Sequence, residues 1–571
     1  MQKTTDWRYV YRTGLLAGGA ILYIGLVGML AAFVEREVVR DTFTLAQLML
    51  ALIPFGAAFF VARRLRKEGA TLTAIVVSAL VVGFLSALPS LVLLFLTNTL
   101  QDMDDILVNV NRDWIETITF DNRNDQARGV LLLVVFLTVS SAVGMVLQLL
   151  PEKLRRALLY GSSFTLLIGV FGETVNFILG QLLPDDTIDL MFRRDTLLLN
   201  AAVVLFVISN VAAIIGSYSS KLVGQRYAAM PESNRNASRV LLWLVLSGLL
   251  LILPSLLGRS LSDVAVQVGL FVLMGFGLNI AIGLAGLLDL GYVTNYAVGA
   301  YVMAVLTSTG LQGRGGDFFT FWLVIPIALL AAMFAGFIFA VPVLKMRGDY
   351  LAIATLGFGE IIGKLAVSDW LAPVIGGAQG ILRVPKPMFF GTELVNPEQL
   401  YYIVLAACVI TLFISIRLNN SRIGRQWMAI REDEDVASAM GINVSRAKLL
   451  AFTLSAATGG VAGAIFATKV GTVFPNSFTV FVSINVLSLI IVGGMGSNPG
   501  IFVGALVLVG MPELLREFSE YRWLLYGVLL VFMMVNRPEG LLPSQVRQRE
   551  LNEEKQSAAP VPIMAEAPSG D

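Results

Sequence analysis

The chain has no histidine and a single cysteine, Cys408, among its 571 residues. Without imidazole the commonest general base and metal ligand is missing, and one thiol excludes both a disulfide framework and a thiolate metal cluster. Charge is scarce too: 41 basic and 40 acidic side chains make up 14% of the sequence, against about a quarter in a soluble domain. A phosphate-binding GxxxxGK[ST] loop is also absent. The nearest run, GLQGRGG (310–316), follows no strand and lacks the Lys-Ser/Thr ending, so ATP hydrolysis, if coupled to this chain, belongs to another one. What the sequence has instead is apolar surface, with 56% hydrophobic residues and a mean hydropathy of +0.77.

That surface is organised in segments long enough to span lipid. LLLVVFLTVSSAVGMVLQLL (131–150) and FWLVIPIALLAAMFAGFIFA (321–340) can each cross the hydrocarbon layer of roughly 30 Å as one helix. Sixteen such segments are expected, at 13–33, 42–62, 71–97, 129–150, 158–180, 196–216, 239–257, 264–283, 290–308, 321–342, 350–367, 400–416, 447–468, 480–495, 499–514 and 521–536. The expected fold is an all-α polytopic transmembrane helical bundle. Its later members, short and glycine-rich, have the character of broken or re-entrant helices. Lys3, Arg8 and Arg12 precede the first segment as in a signal peptide, but its length and the spans that follow favour an uncleaved first span.

Basic loops orient the bundle. RRLRKE (63–68), PEKLRR (151–156), the 217–239 loop, LKMRG (344–348) and the 417–446 loop fall on one side if every span crosses once, and the positive side is cytoplasmic. Both termini are then cytoplasmic. The acidic 99–128 loop, the loop with Asp185, Asp186 and Asp189, and the 368–399 loop are external. Composition divides the chain into an amino-terminal membrane extension, 1–236, with six candidate spans, a glycine-dense region, 237–545, and a polar tail, 546–571, expected to be disordered,.

One loop is far longer than the rest. In SRIGRQWMAIREDEDVASAMGINVSRAKLLAFTLSAATGG (421–460), Trp427, Ile430, Val436, Ala437 and Met440 recur at about helical spacing opposite Arg431, Glu432, Asp433, Glu434 and Asp435,. Gly441 can stop this helix. A short amphipathic helix on the cytoplasmic side either lies in the interface or enters a groove of a soluble partner. The acidic REDED run disfavours anionic lipid and favours a partner.

Ionisable and amide groups inside spans are functional candidates, because stranding them in lipid is unfavourable. Glu173, Asp289, Glu360 and Lys364 are the charged ones. Glu360 and Lys364, four apart on one helix face, can neutralise one another or belong to the pathway or gate. Asp289 is either local tuning or a wet loop end. Asn279 and Asn295 flank the same turn and can bond the backbone of broken helices. Gly493, Gly494 and Gly496 with Pro499 predict a turn between two short spans. No nucleophile–base set or metal cluster gathers anywhere, which leaves a membrane enzyme without chemistry.

Four stretches carry a resemblance: GFGLNIAIGLAGLLDLGYVTNYAVGAYVMAVL (275–306), LKMRGDYLAIATLGFGEII (344–362), IGRQWMAIREDEDVASAMGINVSRAKLLAFTLSAATGGVAGAIFA (423–467) and SINVLSLIIVGGMGSNPGIFVGA (483–505), with a terminal RPEGLLP (537–543). In order, these resemble the permease subunit of branched-chain amino acid ABC transporters, the LIV-type family. The resemblance implies a non-catalytic subunit of the cell inner membrane, without cofactor or nucleic-acid partner. It also implies a second permease subunit, cytoplasmic ATPase subunits and a periplasmic or extracellular substrate-binding protein as partners. Segment 423–446 would dock the ATPase, with Arg431, Glu432, Asp433, Glu434, Ala437 and Gly441 as the carried-over positions. Asp289 stands where the family often has a small uncharged residue, and the 1–236 extension exceeds the minimal family pattern. The competing expectation is a carrier driven by an ion gradient, coupled through Glu173 or Glu360.

Overall fold

In a computed structural model, residues 6–99, 107–122, 125–181, 183–229, 232–309, 320–514, 521–537 and 539–544 are described. The 310–316 glycine run and the tail from 546 lie outside these described residues. Most of the described backbone is helical, as hydrocarbon demands when every N–H and C=O must be satisfied within the segment. Among the described residues ten helices are long and apolar enough to cross a membrane, or eleven if one bent pair is a single span. The chain divides into two compact units, Met1–Leu246 and Ser247–Asp571.

The first unit contains α1 (Trp7–Leu26), α2 (Leu45–Lys67), α3 (Leu72–Thr99), α4 (Gln126–Leu149), α5 (Glu152–Val170), α6 (Gly172–Gly180) and α7 (Leu199–Ala229). Helix α1 packs on α3, α2 and α3 on α4, and α5 on α7. Small polar residues fasten these contacts: Ser140 donates to the Ala51 carbonyl at 2.5 Å and Ser141 to the Ala79 carbonyl at 2.6 Å, bonds that hold helices together where lipid supplies no hydrophobic drive. Four short strands, Glu37–Val39, Phe43–Thr44, Phe192–Arg193 and Thr196–Leu197, form one small sheet.

In the second unit α8 (Glu232–Asn279), which contains the boundary between the units, runs into a π-helical turn at Ile280–Leu284. There follow α9 (Val293–Thr307), α10 (Phe321–Val343), α11 (Asp349–Val367), α12 (Pro397–Asn419), α13 (Arg422–Glu432), α14 (Glu434–Ala439), α15 (Val444–Val470), α16 (Val480–Gly493), α17 (Asn498–Ala505) and α18 (Arg522–Asn536). Helices α9, α10 and α15 pack mutually as the core. Glycine permits the approach of α15 to α9: a Cβ on Gly299 would strike the Gly460 carbonyl, and one on Gly463 the Tyr296 carbonyl,. At the far end Lys386 donates to the Thr468 and Lys469 carbonyls at 3.0 and 2.6 Å, capping the last turn of α15.

The sixteen expected segments all fall on helix, but fewer are separate spans. Segments 239–257 and 264–283 lie on the two sides of a kink in α8 at Gly258, whose φ is +66°, a backbone state open to glycine, so the expected break is present without a loop. Segment 158–180 is α5 and α6, bent by 83°. Segments 290–308 and 499–514 are shorter apolar helices, and the first and last segments, α1 and α18, are not among the ten. The predicted turn at 493–499 is present: Gly494 and Gly496 have φ of +120° and +76°, and the Ser497 hydroxyl caps α17 from Gly500 N at 3.2 Å.

Candidate coupling unit and pathway residues

The long loop folds into α13 and α14, two short helices where one was expected. The break is chemical: Asp433 adopts extended φ/ψ of −156° and 117° and its Oδ1 accepts from Asp435 N and Val436 N at 2.8 and 2.9 Å. An aspartate that caps a new helix competes with continuing the old one. Helix α14 ends at Gly441, φ +86°. There Ile442 N reaches the Ala437 carbonyl and Gly441 N the Ser438 carbonyl, at 3.1 and 3.0 Å, the paired bonds of a glycine-terminated helix.

One side of this unit is built into the protein. Trp427 is fully buried and its Nε1 donates to the Ala447 carbonyl at 2.8 Å. With Ile430 and Ala437 it packs against Ile280, Leu284, Leu287, Val343, Leu351 and Phe452, so the unit touches the π turn, both ends of the 344–348 loop and the start of α15. Buried Lys448 meets Glu434 at 2.8 Å. Arg347 holds Asp435 bidentately at 3.0 and 2.9 Å, and its hydrogen bonds and charge keep that carboxyl below the usual carboxylate range,. The other side, with Glu432, Asp433, Val436 and Met440, is exposed; Val436 is 59% and Met440 79% accessible.

The six carried-over positions are thereby divided. Glu432, Asp433 and Gly441 are exposed, whereas Ala437 is buried and Glu434 is engaged with Lys448. Arg431 turns inward, its Nη1 donating to the Gly283 carbonyl at 2.7 Å at the end of the π turn. Gly286, φ +70°, passes so close that a Cβ would lie 3.0 Å from the Arg431 side chain.

The turn beyond, 285–292, and its flanks are held by four hydrogen bonds. Asn279 accepts from Gly496 N at 2.9 Å, Asp289 from Gly291 N at 3.0 Å, Thr355 from Leu290 N at 3.0 Å and Ser483 from Val293 N at 2.9 Å. Asp289 is buried, not wet, and spends an oxygen on its own turn. Asn279 bonds the backbone of a broken helix as anticipated. Asn295 does not: its Oδ1 is buried with no partner among the described residues, as are Thr294 Oγ1 and Ser455 Oγ nearby. Glu360 and Lys364 are both exposed on α11 and no ion pair joins them. Glu173 stands exposed in the first turn of α6, just past the 83° bend.

Residues 260–535 match the family described as "Branched-chain amino acid transport system / permease component". The permease protein LivM of the high-affinity branched-chain amino acid transport system of Escherichia coli K12 is 36% identical over 425 residues, which cover 70% of this chain and 97% of that protein. The chain belongs to the branched-chain amino acid transport permease family. More distant relatives within it include a probable LivM of Methanocaldococcus jannaschii, 26% identical over 50% of this chain and 94% of its own length. LivH of Salmonella typhimurium is 26% identical over 48% of this chain and 91% of its own. No solved structure matches. In this permease-family chain the residues that sequence reasoning passed over are Arg347 and Lys448, which hold the acidic run, and Thr355 and Ser483, which hold the turn. A lone arginine in a basic loop carries no local signal of its partner 88 residues away.

Proposed function

We propose that the chain is the pathway-forming subunit of an importer for branched-chain or related amino acids, driven by an ATPase on a separate chain that docks against α13 and α14. The observation that carries the reading is the two-sided coupling unit. Its inner side is fixed to the protein's own core, while Glu432, Asp433, Val436 and Met440 present an acidic and apolar edge with Gly441 closing it, the form of a helix that enters a partner's groove,. Movement of the unit has two outlets: Arg431 to the π turn, and Arg347 to the loop that leads into α11,. Arg431, Glu434 and Ala437 then serve transmission, and Glu432, Asp433 and Gly441 serve contact.

The relatives named LivM and LivH support pairing with a second permease of the family. A separate binding protein outside would supply recognition, so the passage itself needs only a weak site. The sided basic loops support an inner-membrane placement with cytoplasmic termini. A gradient-driven carrier gains nothing from Glu173, which stands at a bend instead of inside a straight span.

The test is affinity purification of the tagged chain from its native membrane, with mass identification of what accompanies it. ATPase subunits and a second permease are expected. A variant with Glu432→Lys, Val436→Asp and Met440→Asp should reach the membrane and lose the ATPase. Recovery of the unsubstituted chain alone, under conditions that preserve other membrane complexes, overturns the reading.

A further inference from the structure

Helix α11 has two unlike sides. It buries Leu351, Ala352, Thr355, Gly359 and Ala366, and it turns Ile353, Glu360, Ile361, Lys364 and Val367 outward. At 3.6 residues per turn the outward positions fall within one arc of about 120°. Glu360 is about 16 Å along a helix about 28 Å long, close to the middle of the hydrocarbon layer if the helix spans it. Gly357, one turn before it, has open space where a side chain would be. Elsewhere in this unit α9, α10 and α16 carry no charged side chain, and α12 and α15 keep theirs within two turns of an end. The cleft of about 770 Å³ between α10, α12 and α15 is lined without a single charge. That face suits hydrocarbon; the face of α11 does not, because a charge at mid-depth is strongly disfavoured against lipid.

The bland explanation for Glu360 and Lys364 is that they neutralise one another across one turn. They do not close on each other, and neither side chain is bonded to another group among the described residues. We propose that this face of α11 lines a water-filled passage and that Glu360 and Lys364 form a transient site for an amino acid zwitterion. The Glu360 carboxylate takes the ammonium and the Lys364 ammonium takes the carboxylate. A ligand with one charge would leave the other residue unmatched, whereas two opposite charges one turn apart match both ends of a zwitterion. Ile353 and Ile361, 67% and 53% exposed on the same arc, offer apolar contact for an aliphatic side chain. The site also sits on the helix that begins two residues after Arg347, whose side chain holds Asp435 of α14. The assignment of substrate class rests on the function proposed above; the wet face rests on burial and charge alone.

Single cysteines test it in the assembled transporter, since native Cys408 is buried. Ile353, Gly357, Glu360 and Lys364 are replaced in turn, with Leu330→Cys and Phe334→Cys on the apolar exposed face of α10 as controls. The probe is a charged, membrane-impermeant methanethiosulfonate. Modification at 360 and 364 should be about tenfold or more faster than at 334, and modification at 353 and 357, where both charges are intact, should be slower during leucine import. Glu360→Gln should lower leucine uptake by about tenfold or more, the loss of one charge-assisted contact, while Glu360→Asp retains most of it. Modification at 360 and 364 no faster than at the α10 controls would mean a dry interface with the second subunit and would overturn the proposal, as would unaltered uptake in both Glu360→Gln and Lys364→Met. An ATPase that co-purifies with unreactive cysteines sinks the passage alone. Reactive cysteines in a chain that recruits no ATPase sink the ATP-driven reading and leave the passage standing.

Discussion

Lys448 is 3% exposed and its ammonium depends on Glu434, which is itself shared with Arg347 at 3.4 Å. Removing one member of a buried pair strands the other, at about 3–5 kcal/mol. Glu434→Gln is therefore expected to lower the unfolding temperature of the solubilised protein, and adding Lys448→Met should recover most of the loss; a double variant as unstable as the single one would show that Glu434 acts through some other partner. The neighbouring Asp435 behaves differently because it is exposed. Its folded-state carboxyl is held below the ordinary value by Arg347, so the contact is fully present above the unfolded-state pKa of about 3.9 and is lost only as pH falls through the lower folded value. Retention of the ATPase should thus be insensitive to this pair between pH 5 and 8 and should weaken in Arg347→Gln at every pH. Retention titrated across pH in both proteins decides it.

The coupling unit shows why helical spacing was legible and its interruption was not. Trp427, Ile430 and Ala437 were recognisable as part of an apolar stripe, and Gly441 as its end, because both signals are local; Val436 and Met440, read into the same stripe, face outward instead. Asp433 lies on the polar side of that stripe, and periodicity does not register that its oxygen caps two amides of the next turn. The same blindness merged α5 with α6, bent by 83°: a run of apolar residues has no feature that records a bend. What anchors the unit is Trp427, and Trp427→Ala should destabilise it by about 3–5 kcal/mol, the usual cost of emptying an aromatic site, exposing the 420–446 segment to limited proteolysis while α9, α10 and α15 stay resistant. The turn it faces has its own weak point. Gly286→Ala forces a side chain into φ +70° beside Arg431, a strain of about 1–3 kcal/mol, and should cut uptake more than it cuts the amount of protein in the membrane. Equal falls in both would assign Gly286 to folding alone.

Every feature tied here to transport lies in the unit Ser247–Asp571: the coupling helices, the pinned turn and the charged face of α11. The family match, 260–535, lies within it too, and the Methanocaldococcus jannaschii relative aligns over nearly its whole length with only half of this chain. The class of the molecule was open in the sequence because hydropathy sums over hundreds of residues. Which residues hold the turn was not, since Asn279 with Gly496 and Val293 with Ser483 are pairings across 217 and 190 residues. The first unit has its own interior around Val10, Val61, Leu65, Val82 and Met145, and its helices pack on one another. A chain begun near Glu232 should therefore insert in the membrane and keep both its resistance to proteolysis and its ATPase, because the groups that fix α13 and α14 all come from residues beyond 279. Co-purification with the shortened chain measures this directly. Retained ATPase with reduced uptake would give the first unit a part in passage or assembly of the second permease, whereas loss of the ATPase from a well-inserted chain would show that the coupling unit is held in place by something the second unit does not contain.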